Sequence, residues 1–153
     1  MACKPLRINS GGQAGVDRAA LDWAISNGVM NGGWCPKGRL AVDGPIAGHY
    51  DLRETESSGY SQRTKFNVRD SDATLILNLG ALDGGTALTV NLCLACRKPF
   101  LVWQLGELEM PSDSLRRWLI ETQPGVLNVA GPGEEKRPGI YKKTIALLNE
   151  LFR

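Results

Sequence analysis

Ile8-Asn9-Ser10-Gly11-Gly12-Gln13-Ala14-Gly15-Val16-Asp17-Arg18 reads as a short strand, a glycine turn and the opening of a helix. Gly11, Gly12 and Gly15 permit positive φ and let a ligand come close to the backbone. From Val16 onward the pattern is helical, so unpaired N–H groups and the positive end of a helix dipole face the turn. That arrangement suits an anion, most often a phosphate. Glycines in a strand-to-helix turn are as often plain turn chemistry, so this stretch alone decides little. Its weight comes from two further stretches that repeat the device.

Ala73-Thr74-Leu75-Ile76-Leu77-Asn78-Leu79 is short and nearly all apolar, as a central parallel strand buried on both faces should be. It ends in Gly80-Ala81-Leu82-Asp83-Gly84-Gly85-Thr86, which opens a helix over Thr86 to Lys98. That helix is apolar nearly all round, which predicts that it is buried, in part against a partner subunit. Val126 to Ala130 forms another strand and runs into the glycine-rich stretch from Gly131 to Gly139. The last helix follows, with Tyr141, Ile145, Leu148 and Phe152 on one face.

Around these the remaining elements fall into place. Leu6 to Ser10 is the first strand, and Ala20, Leu21, Ala24 and Ile25 form the apolar stripe of a helix from Val16 to Asn27. Trp34-Cys35 makes a very short second strand at or near an edge, stopped by Pro36 and Gly38. Ser61 to Asp70 is a short helix, Pro99 to Trp103 the fourth strand, and Leu115 to Thr122 a helix. Alternating strands and helices with apolar strands imply an α/β fold with a parallel sheet covered on both faces. Right-handed crossovers make it a doubly wound, five-stranded domain over residues 1–153, with expected order 2-1-3-4-5. The glycine turns then lie at the C-terminal edge of the sheet. Turns 10–15 and 80–86 face each other across one crevice where the strand order reverses.

Composition narrows the function. At 153 residues, 42% hydrophobic and 22% charged, the chain has the make-up of an ordinary globular protein. A net charge of +2 gives no case for nucleic acid or a membrane surface, and no apolar run spans a bilayer. The four cysteines form no disulfide framework, so a cytoplasmic setting is the expectation. Cys93 and Cys96 lie late in an apolar helix and read as core thiols, not as half of a zinc site. Asp17 suits the first turn of its helix electrostatically, and a ligand contact is the alternative reading. Lys37 and Arg39 flank a tight turn, where a solvated basic turn competes with an oxyanion contact. Residues 40–60 show no period and read as an ordered loop lining a site; His49 within it reads as a surface residue.

Several stretches resemble the family of putative molybdenum carriers: Ser10-Gly11-Gly12-Gln13, Gly15 to Leu21, and Gly33-Trp34-Cys35-Pro36-Lys37-Gly38-Arg39. So do Glu54-Thr55, Arg63-Thr64, Asn67-Val68, Asp70 to Asp72, Gly84-Gly85-Thr86, Lys98-Pro99 and Leu127 to Pro132. The family is similar to the Rossmann-like phosphoribohydrolases that activate cytokinins, also labelled lysine-decarboxylase-like. The resemblance implies molybdenum cofactor, a pterin phosphate or a nucleotide-like compound as ligand. It also implies a homo-oligomer, dimer or tetramer, with molybdoenzymes as partners. Ser10, Gly11, Gly12, Gln13, Gly15, Arg18, Lys37, Arg63, Gly84, Gly85 and Thr86 are the ligand-binding residues it selects together with the turn positions. Ala14 stands where the family pattern has threonine and Gly133 where it has arginine, which removes a hydroxyl and a phosphate fork.

Carrier and hydrolase differ by an acid. The hydrolase pattern puts a glutamate just after a glycine-glycine-x-glycine-threonine turn, whereas Gly84-Gly85-Thr86-Ala87-Leu88-Thr89 contains no carboxylate. The sequence therefore favours binding over turnover, with a nucleoside monophosphate phosphoribohydrolase as the alternative and Glu54 as its candidate acid.

Overall fold

The computed structural model describes residues 3–106 and 112–152. In chain order the elements are β1 (Arg7–Asn9), α1 (Val16–Ser26), β2 (Met30–Gly32), β3 (Trp34–Cys35), β4 (Arg53–Glu54) and α2 (Tyr60–Arg69). They continue with β5 (Ala73–Asn78), α3 (Gly84–Cys96), β6 (Phe100–Gln104), α4 (Ser112–Thr122), β7 (Val126–Ala130) and α5 (Ile140–Leu151). Five strands form a parallel sheet in the order β2-β1-β7-β5-β6. Among the described residues no helix is long and apolar enough to cross a membrane.

The α/β class and the five parallel strands are as the sequence predicts. The strand order is not. The strand at 126–130 inserts between the strands at 7–9 and 73–78, so those two are not neighbours. The edge strand is 30–32, and Trp34–Cys35 leaves the main sheet to pair with Arg53–Glu54 in a small parallel sheet of its own. Consecutive strands are usually adjacent, and that rule alone predicts 73–79 beside 6–10. Side-chain pairing runs the other way here. Asn128 on β7 donates to Thr74 Oγ1 on β5 at 3.2 Å, and the Ser10 hydroxyl donates to the Val129 carbonyl at 2.6 Å. Buried polar groups need such partners, and β7 supplies them on both sides.

The two faces of the sheet differ. Ile8, Leu75, Leu77, Leu127 and Val129 point to the side covered by α1, α4 and α5, in one apolar core with Trp23, Leu115, Leu119, Ile140, Leu148 and Phe152. Trp23 stacks on Phe152 at 5.3 Å while its indole N–H donates to Asn149 Oδ1. The alternate strand positions Asn9, Thr74, Asn78 and Asn128 are buried and polar. In β-strands successive side chains alternate faces, so these occupy the opposite side of the sheet.

Helix α3 departs from expectation. Its buried residues are Thr86, Thr89 and Cys93, while Leu94 is 61% exposed. Two threonines and a cysteine face in, while Leu94 and Ala95 are exposed beside Asn91. Burial pushes the Cys93 thiol up, as suits a core thiol.

Candidate functional site

The three glycine turns meet. A cavity of about 490 Å³ at the C-terminal ends of the strands is lined by Gln13 and Asp17, by Asp83 to Thr86, and by Ala130 to Gly133. Because β7 lies between β1 and β5, the third turn sits between the first two instead of leaving them face to face. Gly15 has φ +106°, and a Cβ there would stand 2.6 Å from the Pro132 carbonyl oxygen. Only glycine lets the first and third turns close on each other, with the Glu134 N–H donating to the Ala14 carbonyl at 3.3 Å.

At the first turn the anion position is already taken by the protein. Asp17 is 3% exposed, and its Oδ2 accepts from the Arg63 Nη1 at 3.2 Å and from the Gln13 N–H at 3.4 Å. Arg63 reaches it from α2 by lying directly over Gly11, where a Cβ would collide with the guanidinium. Burial raises the Asp17 pKa, and the Arg63 charge opposes that rise. The positive end of α1 thus faces its own carboxylate, and a second anion there would meet it.

At the second turn the helix end is open. Thr86 and Ala87 donate to the Asp83 carbonyl, and the N–H groups of Gly84 and Gly85 have no acceptor among the described residues. Asp83 caps with its backbone only; its carboxylate pairs instead with Arg137 at 3.4 Å. Arg137 also donates to the Leu79 and Ala81 carbonyls and so fixes the shape of the 79–83 loop. The Lys136 Nζ lies 3.2 Å from where a Cβ of Gly84 would be, which sets a cation over the helix start. Free N–H groups, the dipole and an ammonium act in one direction, toward negative charge.

Of the residues the sequence selects, Gln13, Arg63, Gly84, Gly85 and Thr86 line the cavity, with Gly11 beneath Arg63. Gly12, at φ +80°, and Gly15 shape the first turn. Ser10 is fully buried and ties β1 to β7. Arg18 donates to the Gly12 carbonyl, pairs with Asp43 at 3.1 Å and covers the Tyr50 ring, all outside the cavity wall. Lys37 is exposed on a turn outside the cavity. Glu54 lies outside it too, its Oε1 accepting from the Gly38 N–H at 2.6 Å. His49 stacks on Tyr50 and does not reach the cavity. The 40–60 stretch contributes Val42 and Tyr60 to the wall, and its loop is wound around Arg39, whose guanidinium donates to the carbonyls of Ile46, Ala47, Tyr50 and Leu52.

Lys136 is a contributor the sequence does not single out, and the role of Asp17 differs from the ligand contact weighed for it. Lys136 sits within the third glycine stretch, and the signal for it was present: a basic residue beside a turn expected at the same sheet edge. Asp17 was weighed as a ligand contact, but its pairing with Arg63, 46 positions away, has no local signature.

The model of the circularly permutated YpsA SLOG family matches residues 8–152. No curated protein matches the chain. Among solved structures, the crystal structure of a putative molybdenum carrier protein from Syntrophus aciditrophicus SB is similar. It is 41% identical with a TM-score of 0.93, over 100% of this chain and 98% of that one.

Proposed function

This chain belongs to the circularly permutated YpsA SLOG family, and on that premise we propose that it binds a phosphorylated heterocycle of the molybdenum-cofactor type, a pterin phosphate or nucleotide-like ligand, as a carrier. The similar protein from Syntrophus aciditrophicus is described as a putative molybdenum carrier, which supports this choice of ligand. The observation that carries the reading is the open N-terminus of α3 at the cavity. The phosphoryl group sits on the N–H groups of Gly84 and Gly85, with the Thr86 hydroxyl and the Lys136 ammonium beside it. The ring system extends toward Tyr60 and Arg63, which line the same cavity. This donor set fits an oxyanion. Among the described residues no group of three or more His, Cys, Asp or Glu side chains could hold a bare metal ion.

The carrier acts as a homo-oligomer, built along the outer face of α3. The helix carries no charged residue from Gly84 to Cys96. Its exposed apolar side pairs best with a copy of itself in a two-fold arrangement.

A phosphoribohydrolase is the second reading, and Asp17 is the observation in its favour. Breaking an N-glycosidic bond needs an acid for the leaving base. Asp17, with its raised pKa, is a carboxylate on the cavity wall, whereas Glu54 is not. The test is calorimetric titration with nucleoside monophosphates and with a pterin phosphate, run beside an assay for free base. Saturable binding without base release is expected. Release at about 1 per second or faster, abolished in Asp17→Asn, would replace the carrier reading by the hydrolase.

A further inference from the structure

A second, smaller cavity of about 180 Å³ is lined by Arg7, Asn9, Gly33, Trp34, Arg53, Asp70 and Val126. None of these residues lines the cavity at the glycine turns, so the two cavities are separate.

Its walls are joined by a chain of hydrogen bonds rooted in α2. The Arg7 Nε donates to Asn9 Oδ1 at 3.0 Å; Asn9 Nδ2 donates to Ser71 Oγ, which donates to the Asn67 carbonyl. The Asn67 side chain accepts from the Trp34 N–H at 2.8 Å and donates to the Trp34 carbonyl at 3.0 Å. The Trp34 indole N–H donates to Asp70 Oδ2 at 2.8 Å. The Arg7 guanidinium lies against Gly32, where a Cβ would collide with it. Arg53 from β4 stands 5.7 Å over the Trp34 ring.

Every acceptor in this network is engaged. Asp70 takes two bonds from Arg69, at 2.7 and 3.1 Å, besides the one from Trp34. The groups left over are donors: the Arg7 Nη atoms and the whole Arg53 guanidinium make no hydrogen bond to the described residues. Asp70, the carboxylate on the same cavity, is paired with Arg69 and also feels the Arg53 charge, so two guanidinium groups share one carboxylate already engaged elsewhere, and their forked geometry matches a further oxyanion.

We propose that the Arg7–Trp34–Arg53 cavity is a second binding site, for a compact tetrahedral dianion held between the two guanidinium groups. With Asp70 paired to Arg69, the two remaining positive charges balance a dianion, which a phosphate monoester largely is at neutral pH and sulfate fully is. The walls are held in place by Asn9, Asn67 and Ser71, so little ordering is needed on binding. The site does not depend on the reading of the glycine-turn cavity.

The experiment is an NMR titration of the ¹⁵N-labelled protein with inorganic phosphate, with sulfate, and with glycerol phosphate as a monoester. The reporters are the Nε–H signals of Arg7 and Arg53 and the indole N–H of Trp34. Saturable shifts in all three are expected by about 10 mM anion. They weaken about tenfold or more in Arg53→Gln and in Arg7→Gln, and they persist in Gly85→Val, which blocks the other cavity. A response to the free ions alone identifies a free-anion site, and an equal response to the monoester identifies a phosphoryl-group site; either supports the proposal. Arg53 is exposed, so its variant keeps the fold, as unchanged signal dispersion would verify. No saturable shift, or shifts unaltered in Arg53→Gln, would overturn it.

Discussion

The ammonium of Lys136 stands 3.2 Å from the point where a side chain on Gly84 would begin. A lysine from the loop after β7 thereby covers the start of a helix that follows β5. The contact exists because those two strands are neighbours in the sheet. Lys136→Ala is expected to weaken binding of a phosphate monoester by about threefold to tenfold at low salt, an effect of an exposed charge that shrinks as salt is added. Lys136→Arg should retain most of the affinity, and Lys37→Ala should change nothing. Calorimetry at two ionic strengths checks all three variants.

Gly85 and Gly12 separate the cavity's role from the fold's. A Cβ on Gly85 meets nothing within 4 Å, so Gly85→Val projects into the space a phosphoryl group would use. Binding should fall by tenfold or more while stability changes by no more than about 1 kcal/mol. At Gly12 the backbone has φ +80° and a Cβ would lie 2.6 Å from Leu52 Cδ1. Gly12→Val should therefore cost about 1–3 kcal/mol of stability, through strain and overpacking. Urea unfolding of both variants, read beside their affinities, makes the comparison.

Leu94 reports on assembly. It is 61% exposed on an uncharged helix, where a single large apolar side chain has no internal role. Leu94→Glu should leave the monomer fold intact and shift the mass in light scattering from a multiple of the chain to the single chain. A wild-type protein that is already monomeric at high concentration would remove the basis for pairing along α3.

Asp22 accepts hydrogen bonds from two tyrosines, Tyr50 and Tyr141, at 2.5 Å each. The pair ties the 40–60 loop and the start of α5 to α1. Burial, and then the Asp22 carboxylate, push the Tyr141 pKa from 10.0 up to about 12. The folded protein holds that proton more tightly than the unfolded chain. The contribution to stability is therefore complete below pH 10.0 and is lost as pH rises through about 12. Tyr141→Phe should cost about 1.5–3 kcal/mol near neutral pH, the size of a hydrogen bond to a charged group. The difference between variant and wild type should close in strong alkali, as denaturation followed at several pH values would reveal.

The sequence determined what depends on one element at a time. Periodicity marked the apolar strand at 73–79 and the stripe of α1, because a buried face repeats at the spacing of its own backbone. Glycines after strands marked the sheet edge where the cavity lies, since positive φ and close approach leave a trace in residue type. The short strands at 30–32 and 53–54 left no such trace: at three and two residues they are too brief for any period to register. What only the tertiary structure decided depends on distant segments meeting. The strand order brings together polar partners such as Asn128 and Thr74, which sequence proximity cannot pair. Several lysines and arginines stood near turns, and packing alone chose Lys136 for the cavity and sent Arg18 to Asp43 and the Gly12 carbonyl. The same holds for α3. Its composition is apolar all round, so its pattern names no inner face; contact with the polar side of the sheet turned Thr86, Thr89 and Cys93 inward and left Leu94 outside.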